Sequence, residues 1–72
     1  MEKLNKETIK RISNSPGIYY IKNIINGKGY IGKSSKLRRR LYDHYKKRSD
    51  KNKVLYKAFD KYGIENFEFT IL

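Results

Sequence analysis

This chain of 72 residues contains no cysteine and no tryptophan, and it has only one proline. Without cysteine it can form neither disulfides nor thiolate zinc sites, so the fold has to rest on a small hydrophobic core. A core in a domain of this length contributes only about 3–5 kcal/mol of net stability. We therefore expect one small domain at most.

Long hydrophobic runs are also missing. No apolar stretch approaches the ~20 residues that a membrane-spanning helix needs. The charged start, Met1-Glu2-Lys3, is not followed by the apolar segment of a signal peptide. The sequence therefore predicts no membrane partner and an intracellular, cytoplasmic location.

Acidic residues are scarce, and this imbalance is informative. Seven Asp and Glu face eighteen Lys and Arg, which leaves a formal net charge of +11. The segment from Lys33 to Lys53 alone holds ten basic residues and two acidic ones. A field of one sign attracts polyanions and makes their binding depend strongly on salt. A membrane-surface helix would need a broad apolar face, which this segment lacks, so nucleic acid is the favoured partner.

The predicted elements follow the order (α)-β-β-α-α-β. This order indicates an α+β fold in which helices flank a small three-stranded antiparallel sheet. Residues 1–14 are predicted to form a polar lead-in or a short helix. The cluster of structure-breaking residues at 13–17 marks the start of the compact domain, 15–72.

The later elements are predicted from caps and from hydrophobic spacing. One helix is expected over about 36–48, with Ser34 or Ser35 as its N-cap. A second is expected over about 53–62, and Gly63 is placed to end it in the left-handed conformation. The alternation of apolar and polar residues over 66–72 predicts a half-buried final strand.

The first two strands are predicted to form a hairpin over about 17–33. A two-residue loop at Asn26-Gly27 would pair positions whose numbers sum to 53. Because side chains alternate along a strand, any odd sum places Tyr19 and Tyr30 on one face and sends Ile18, Tyr20 and Ile31 to the other. From the hairpin alone, the favoured interpretation is that both tyrosines are ordinary half-buried strand aromatics.

Helical spacing places two functional side chains beside the packed stripe of the first long helix. The stripe consists of Leu37, Leu41 and Tyr45. Arg40 and His44 flank it and point toward the sheet, whereas the neighbouring arginines at 38 and 39 point to solvent. Taken alone, Arg40 could be a snorkelling side chain or part of an ion pair, and His44 could be bonded to a carbonyl.

Two segments of this chain closely resemble the GIY-YIG nuclease family, especially phage and homing-endonuclease-type members. They read GIYYIKNIINGKGYIGKSSKLRRRLYDHY and LYKAFDKYGIENFEF. The resemblance covers about residues 15–72. It implies a three-stranded antiparallel sheet flanked by helices, and a DNA endonuclease that hydrolyses phosphodiester bonds with Mg²⁺ or Mn²⁺.

The resemblance also implies a catalytic set: Tyr19, Tyr30, Arg40 and His44. In this interpretation the tyrosine of the first tripeptide assists as general base, and the arginine binds the scissile phosphate. A phenol has a usual pKa near ~10, which a neighbouring guanidinium and a metal can lower. We expect further DNA contacts from five basic residues and one asparagine, namely Lys22, Lys33, Lys36, Arg39, Lys47 and Asn52.

The chain departs from the family pattern in two places. Asp50 stands where many relatives carry a histidine. The family's metal-binding glutamate lies on a helix after the last strand, which would fall beyond Leu72, and neither Glu65 nor Glu68 occupies the matching position. The sequence therefore predicts a catalytic domain truncated before its metal-ligand helix, and no metal ligand is assigned within the chain.

The missing ligand leaves other functions open. A C-terminal segment or a second subunit would have to supply the carboxylate for an active nuclease. The chain could instead be a non-catalytic DNA-binding module or a degenerate nuclease fragment. A small basic RNA- or ribosome-associated protein is a third alternative, although the chain lacks the motifs of the common RNA-binding modules.

Overall fold

The fold combines short antiparallel strands with helices, in the α+β class that the sequence predicts. The computed structural model describes residues 1–48 and 52–72. A 3₁₀ turn at Ile64–Asn66 connects the last helix to the last strand. The elements in chain order are β1 (Glu2–Lys3), α1 (Lys6–Ile9), β2 (Gly17–Asn23), β3 (Gly29–Ser34), α2 (Leu37–Tyr45), α3 (Lys53–Tyr62) and β4 (Phe67–Ile71).

The sheet corrects the predicted strand number. Within the described residues it has four antiparallel strands in the order β1-β4-β2-β3, whereas the sequence predicts three. The additional strand, Glu2–Lys3, pairs with β4 so that Glu2 stands opposite Phe69. Two residues are too few to show the alternating pattern by which strands are recognised in a sequence.

The N-terminal segment is joined to the domain by more than this strand. The N–H of Leu4 donates to the carbonyl of Phe67 at 3.1 Å. Asn5 caps α1, since its Oδ1 accepts from the N–H of Thr8 at 3.0 Å. The side chains of Leu4 and Ile9 are buried in the common core, and α1 packs against α2. Residues 2–12 are therefore held in a defined position on the domain.

The β2–β3 hairpin keeps the predicted parity but not the predicted loop. Paired positions sum to 51, as in Tyr19 opposite Gly32 and Ile21 opposite Tyr30. The loop therefore comprises residues 24–27, and the prediction of a two-residue loop at Asn26-Gly27 is wrong. The backbone carbonyl of Asn23 accepts a hydrogen bond from the N–H of Gly27. The buried side-chain Oδ1 of Asn23 accepts from the N–H of Ile25 at 2.9 Å, and both bonds stabilise the wider turn.

The change of register by two positions leaves every side chain on its predicted face. Tyr19 and Tyr30 lie on the face that the helices cover, which confirms the parity prediction. The opposite face carries Ile18 and Ile31, and both are exposed. The site tyrosines therefore face the helical layer.

Helix α3 has its predicted limits, whereas α2 ends at Tyr45, three residues before the predicted position 48. Lys36, and neither serine, occupies the N-cap position of α2, and Ser34 Oγ instead accepts from the N–H of Lys36 at 3.0 Å. Helix α3 ends at Gly63, whose φ of +86° is positive as expected, but its ψ of 127° lies outside the predicted left-handed helical conformation. In the described part of the chain, no helix has the length and apolar character to cross a bilayer.

Candidate active site

Three rings from three different elements form a buried hydrogen-bonded row. Tyr19 Oη on β2 lies 2.7 Å from His44 Nε2 on α2. The other ring nitrogen, His44 Nδ1, lies 2.9 Å from Tyr56 Oη on α3. The exposed fractions are 7% for Tyr19, 1% for His44 and 8% for Tyr56. The imidazole is therefore held from both sides, away from water.

A glycine on the neighbouring strand makes room for Tyr19. Gly32 is the cross-strand partner of Tyr19, and the tyrosine ring lies across it. A Cβ atom at position 32 would overlap the ring and hydroxyl of Tyr19. The missing side chain thus allows the phenol to lie against β3 and reach His44.

Helix α2 is positioned by its first turn and by its buried stripe. The N–H of Leu37 donates to the carbonyl of Ser15 at 3.0 Å, and the N–H of Arg39 donates to Asn14 Oδ1 at 3.1 Å. These bonds satisfy first-turn donors that a helix leaves without internal partners. Leu37 and Leu41 are buried against the sheet, so Arg40 and His44 lie on the flank of the packed face, as predicted.

Arg40 is the charged neighbour of this row. It is half-buried, whereas Arg38 and Arg39 are exposed. Burial raises the pKa of Tyr19 above its usual 10.0, and the nearby guanidinium of Arg40 opposes that rise. The pKa of His44 is lowered to about 4, chiefly by burial and also by the guanidinium of Arg40, while Asp43 acts in the opposite direction. At neutral pH the site therefore holds a neutral phenol and a neutral imidazole beside a cation.

A neutral imidazole has one donor nitrogen and one acceptor nitrogen. Of the two tyrosines that contact it, one therefore donates to the ring and the other accepts from it. If His44 takes up a proton, both ring nitrogens become donors, and both phenol oxygens are in place to accept. The arrangement can thus take a proton from Tyr19 and still satisfy the resulting imidazolium.

The low pKa of His44 predicts that acid destabilises the fold. The unfolded chain, with a histidine pKa near 6.5, binds more protons than the folded chain between that value and about 4. The contribution of neutral His44 to the free energy of unfolding is complete above pH 6.5. As the pH falls below this value, the contribution is lost at up to ~1.4 kcal/mol per pH unit. Urea unfolding between pH 7.5 and 4.5 should show this loss, and His44→Gln should remove the histidine component.

Carboxylates also titrate near the lower limit of that range, so a direct reading of the ring is needed. His44 is the single histidine of the chain, and its NMR signals are therefore unambiguous. A side-chain titration midpoint near 6.5 in the folded protein would contradict the prediction.

Tyr30 borders the row without forming part of it. Tyr30 lies on β3, opposite Ile21 of β2 and two positions before Gly32. It therefore lies diagonally from Tyr19 on the same face of the sheet. Its side chain is half-buried against the core. The structure thus brings together Tyr19, Arg40 and His44, and it places Tyr30 at their edge.

The predicted DNA contacts divide into two groups. Lys33, Lys36 and Arg39 line two depressions that adjoin Arg40. The others lie elsewhere in the structure, namely Lys22 on the opposite face of the sheet, Lys47 in an ion pair with Asp60, and Asn52 at the start of α3. Asp50 lies outside the described residues.

The described residues do not by themselves fit Mg²⁺ or Mn²⁺. Across 1–48 and 52–72, no three side chains of His, Cys, Asp or Glu come together as a group that could hold an ion. Asp43 lines the depression beside Arg40, and its Oδ1 lies 4.0 Å from a guanidinium nitrogen of Arg48. A lone carboxylate near a cation is a poor ligand set for a hard divalent ion.

Sequence reasoning missed Tyr56. Its ring stacks on Phe59, one turn further along α3, at a centroid distance of 5.9 Å. That i, i+3 spacing from a core phenylalanine was the available signal, since it places Tyr56 near the packed face. Nothing in the spacing indicates that its hydroxyl reaches a histidine on another helix.

A comparison with protein families matches this chain. The GIY-YIG catalytic domain corresponds to residues 15–72, a range that covers β2, β3, α2, α3 and β4. Searches of curated proteins and of solved structures found no match.

Proposed function

We propose a DNA endonuclease function from one established premise: this chain belongs to the GIY-YIG catalytic-domain family, a nuclease family. In this proposal the chain hydrolyses a phosphodiester bond. Arg40 binds the scissile phosphate, Tyr19 handles the proton of the attacking water, and His44 is the partner of Tyr19. The observation that supports this best is the buried 2.7 Å contact between Tyr19 Oη and His44 Nε2 beside the guanidinium of Arg40.

The negative charge that develops on the phosphate is matched by Arg40. A guanidinium offers a fixed fork of N–H donors that suits two phosphate oxygens. In a partly buried position it stabilises the transition state more strongly than it would in water. Arg40 is half-buried, whereas the two arginines that precede it, Arg38 and Arg39, are exposed, and this position fits the role.

The proton step needs Tyr19 to lose its hydroxyl proton, and burial alone opposes that loss. His44 Nε2 is the acceptor within reach, and Tyr56 Oη can receive the N–H on the far side of the ring. Arg40 disfavours a charged imidazole in the free protein. An anionic phosphate bound to Arg40 offsets that repulsion, so substrate binding makes the His44 imidazole a better proton acceptor.

A divalent cation belongs to this proposal only through the family, whose nucleases generally depend on one. Mg²⁺ or Mn²⁺ supplies positive charge at the phosphate when bound. Since the described residues do not form a ligand group, we infer that a C-terminal segment or a second subunit provides the carboxylate.

A non-catalytic DNA-binding module is the second candidate function. It is favoured by the same observation, namely that no described group of side chains could hold a metal ion. In that case Lys33, Lys36 and Arg39 would contact backbone phosphates around Arg40 without chemistry. The two candidates share the DNA partner and differ in cleavage.

The decisive experiment incubates supercoiled plasmid with the 72-residue chain in Mg²⁺ or Mn²⁺. Any longer form that the gene encodes is assayed in parallel. Nicking by either form supports the nuclease, and nicking by the longer form alone locates the missing ligand. Salt-dependent DNA binding without nicking by any form supports the binding module. Binding that stays constant between low and high salt contradicts both functions.

A further inference from the structure

A cationic groove lies between α1 and α2, outside the set of residues proposed above for catalysis. Its floor is formed by Ile9 and by the half-buried ring of Tyr42. Four basic side chains surround that floor: Lys6, Lys10, Arg38 and Arg39. Two of them, Lys6 in α1 and Lys10 at its C-cap, precede residues 15–72, so this wall of the groove lies outside the matched family domain.

The folded N-terminal segment fixes the backbone positions from which these cations project. Helix α1 is capped by Asn5, and its last residue, Ile9, is buried in the core. On the other wall, the backbone N–H of Arg39 donates to Asn14 Oδ1 at 3.1 Å. Lys10 pairs with Glu7 at 3.2 Å, but both side chains are about two-thirds exposed, at 67% and 70%. Such a pair is weak in water and leaves the lysine able to contact a ligand.

The groove is continuous with the proposed site. Arg39 lines the groove and also lines the depression that contains Arg40. A band of positive charge therefore runs from Arg40 across the first turns of α2 to α1. The longest dimension of the domain is 30 Å, which is about nine base pairs of duplex at ~3.4 Å per pair.

We propose that this groove binds the phosphodiester backbone of duplex DNA beside the scissile bond. The proposal rests on the nuclease function proposed above and adds a second contact region to it. Charge complementarity carries the argument, since a duplex carries one negative charge per ~1.7 Å of its axis. A lipid surface fits less well, because α1 has four residues and offers no long apolar face to insert.

The test compares two triple variants that remove the same charge. The groove variant removes three cations from the groove lining and leaves Arg39 and Arg40 unchanged. It carries Lys6→Gln, Lys10→Gln and Arg38→Gln. The matched control, Lys28→Gln, Lys57→Gln and Lys61→Gln, removes three exposed cations that do not line the groove or the depressions beside Arg40. All six side chains are exposed, so thermal unfolding should change by only a few degrees in either variant.

Binding to a 20-base-pair duplex is measured by fluorescence anisotropy from 50 to 200 mM salt, without metal. The groove variant should bind about tenfold more weakly at 100 mM salt. Its slope of log K against log salt should fall by about two to three, since each phosphate contact contributes ~0.9. The control should stay within about threefold of the wild-type affinity.

Equal losses of DNA affinity in the two variants would overturn the proposal, because the net charge of the protein alone would then explain binding. If the groove variant bound phosphatidylserine vesicles or duplex RNA more weakly but kept its affinity for DNA, the proposal would be overturned in favour of that other surface or nucleic acid. These outcomes are separate from the nicking assay. A chain that never nicks but shows the predicted difference has the groove without the catalytic function.

Discussion

Replacing Arg40 by alanine is expected to abolish DNA cleavage while leaving DNA binding nearly intact. In the proposed mechanism the guanidinium beside Tyr19 and His44 stabilises the phosphate in the transition state, and the substitution removes that stabilisation. Removing a single donor of this kind costs about 10²–10³ in rate. Binding should weaken only about threefold, because many other phosphate contacts remain. Plasmid nicking rates and duplex anisotropy, measured on one preparation, check both parts.

The neighbouring arginine provides the control for this prediction. Arg39 carries the same charge one position away, but its side chain is exposed, whereas that of Arg40 is half-buried beside Tyr19 and His44. Arg39→Ala should reduce affinity more than the rate of cleavage. Arg40→Ala should also raise the pKa of His44, since the guanidinium opposes its protonation. Unchanged nicking by the Arg40→Ala protein would remove this residue from the chemistry.

The second large effect is expected from adding one methyl group to the sheet. In Gly32→Ala the new Cβ overlaps the ring and hydroxyl of Tyr19. Tyr19 is buried, so its ring cannot swing into solvent, and its hydrogen bond to His44 is displaced. A misplacement of about 1 Å in a catalytic group can reduce the rate ~10²-fold. Overpacking of this kind also costs about 1–3 kcal/mol of stability. Nicking rates and urea unfolding measure the two effects.

The other glycine of the same strand tests whether position matters. A Cβ at Gly29 would overlap the ring of Tyr20, which lies half-buried on the face that no helix covers. That ring can rotate toward solvent, so Gly29→Ala should lose some stability and keep its cleavage activity. The NMR signals of His44 should shift in Gly32→Ala and stay unchanged in Gly29→Ala. Equal activity in the two variants would show that the contact between Tyr19 and His44 is not needed for cleavage.

Much of this architecture follows from local patterns in the sequence. The limits of α3, the positive φ at Gly63 and the position of β4 all rest on signals within a few residues. The hairpin loop was misjudged because buried Asn23 stabilises a longer turn. Strand β1 was missed because its two residues are defined by their pairing with β4 at the far end of the chain.

By itself, the sequence determined on which face each candidate side chain lies. Tyr19 and Tyr30 share a face, and Arg40 and His44 flank the buried stripe of α2, because periods of 2.0 and 3.6 residues are properties of a single element. Only the tertiary structure decided that Tyr19 meets His44, that Tyr56 holds the other side of the ring, and that α1 completes a groove with α2. Those contacts join residues distant in the chain, and packing of the whole core brings them within reach of one another.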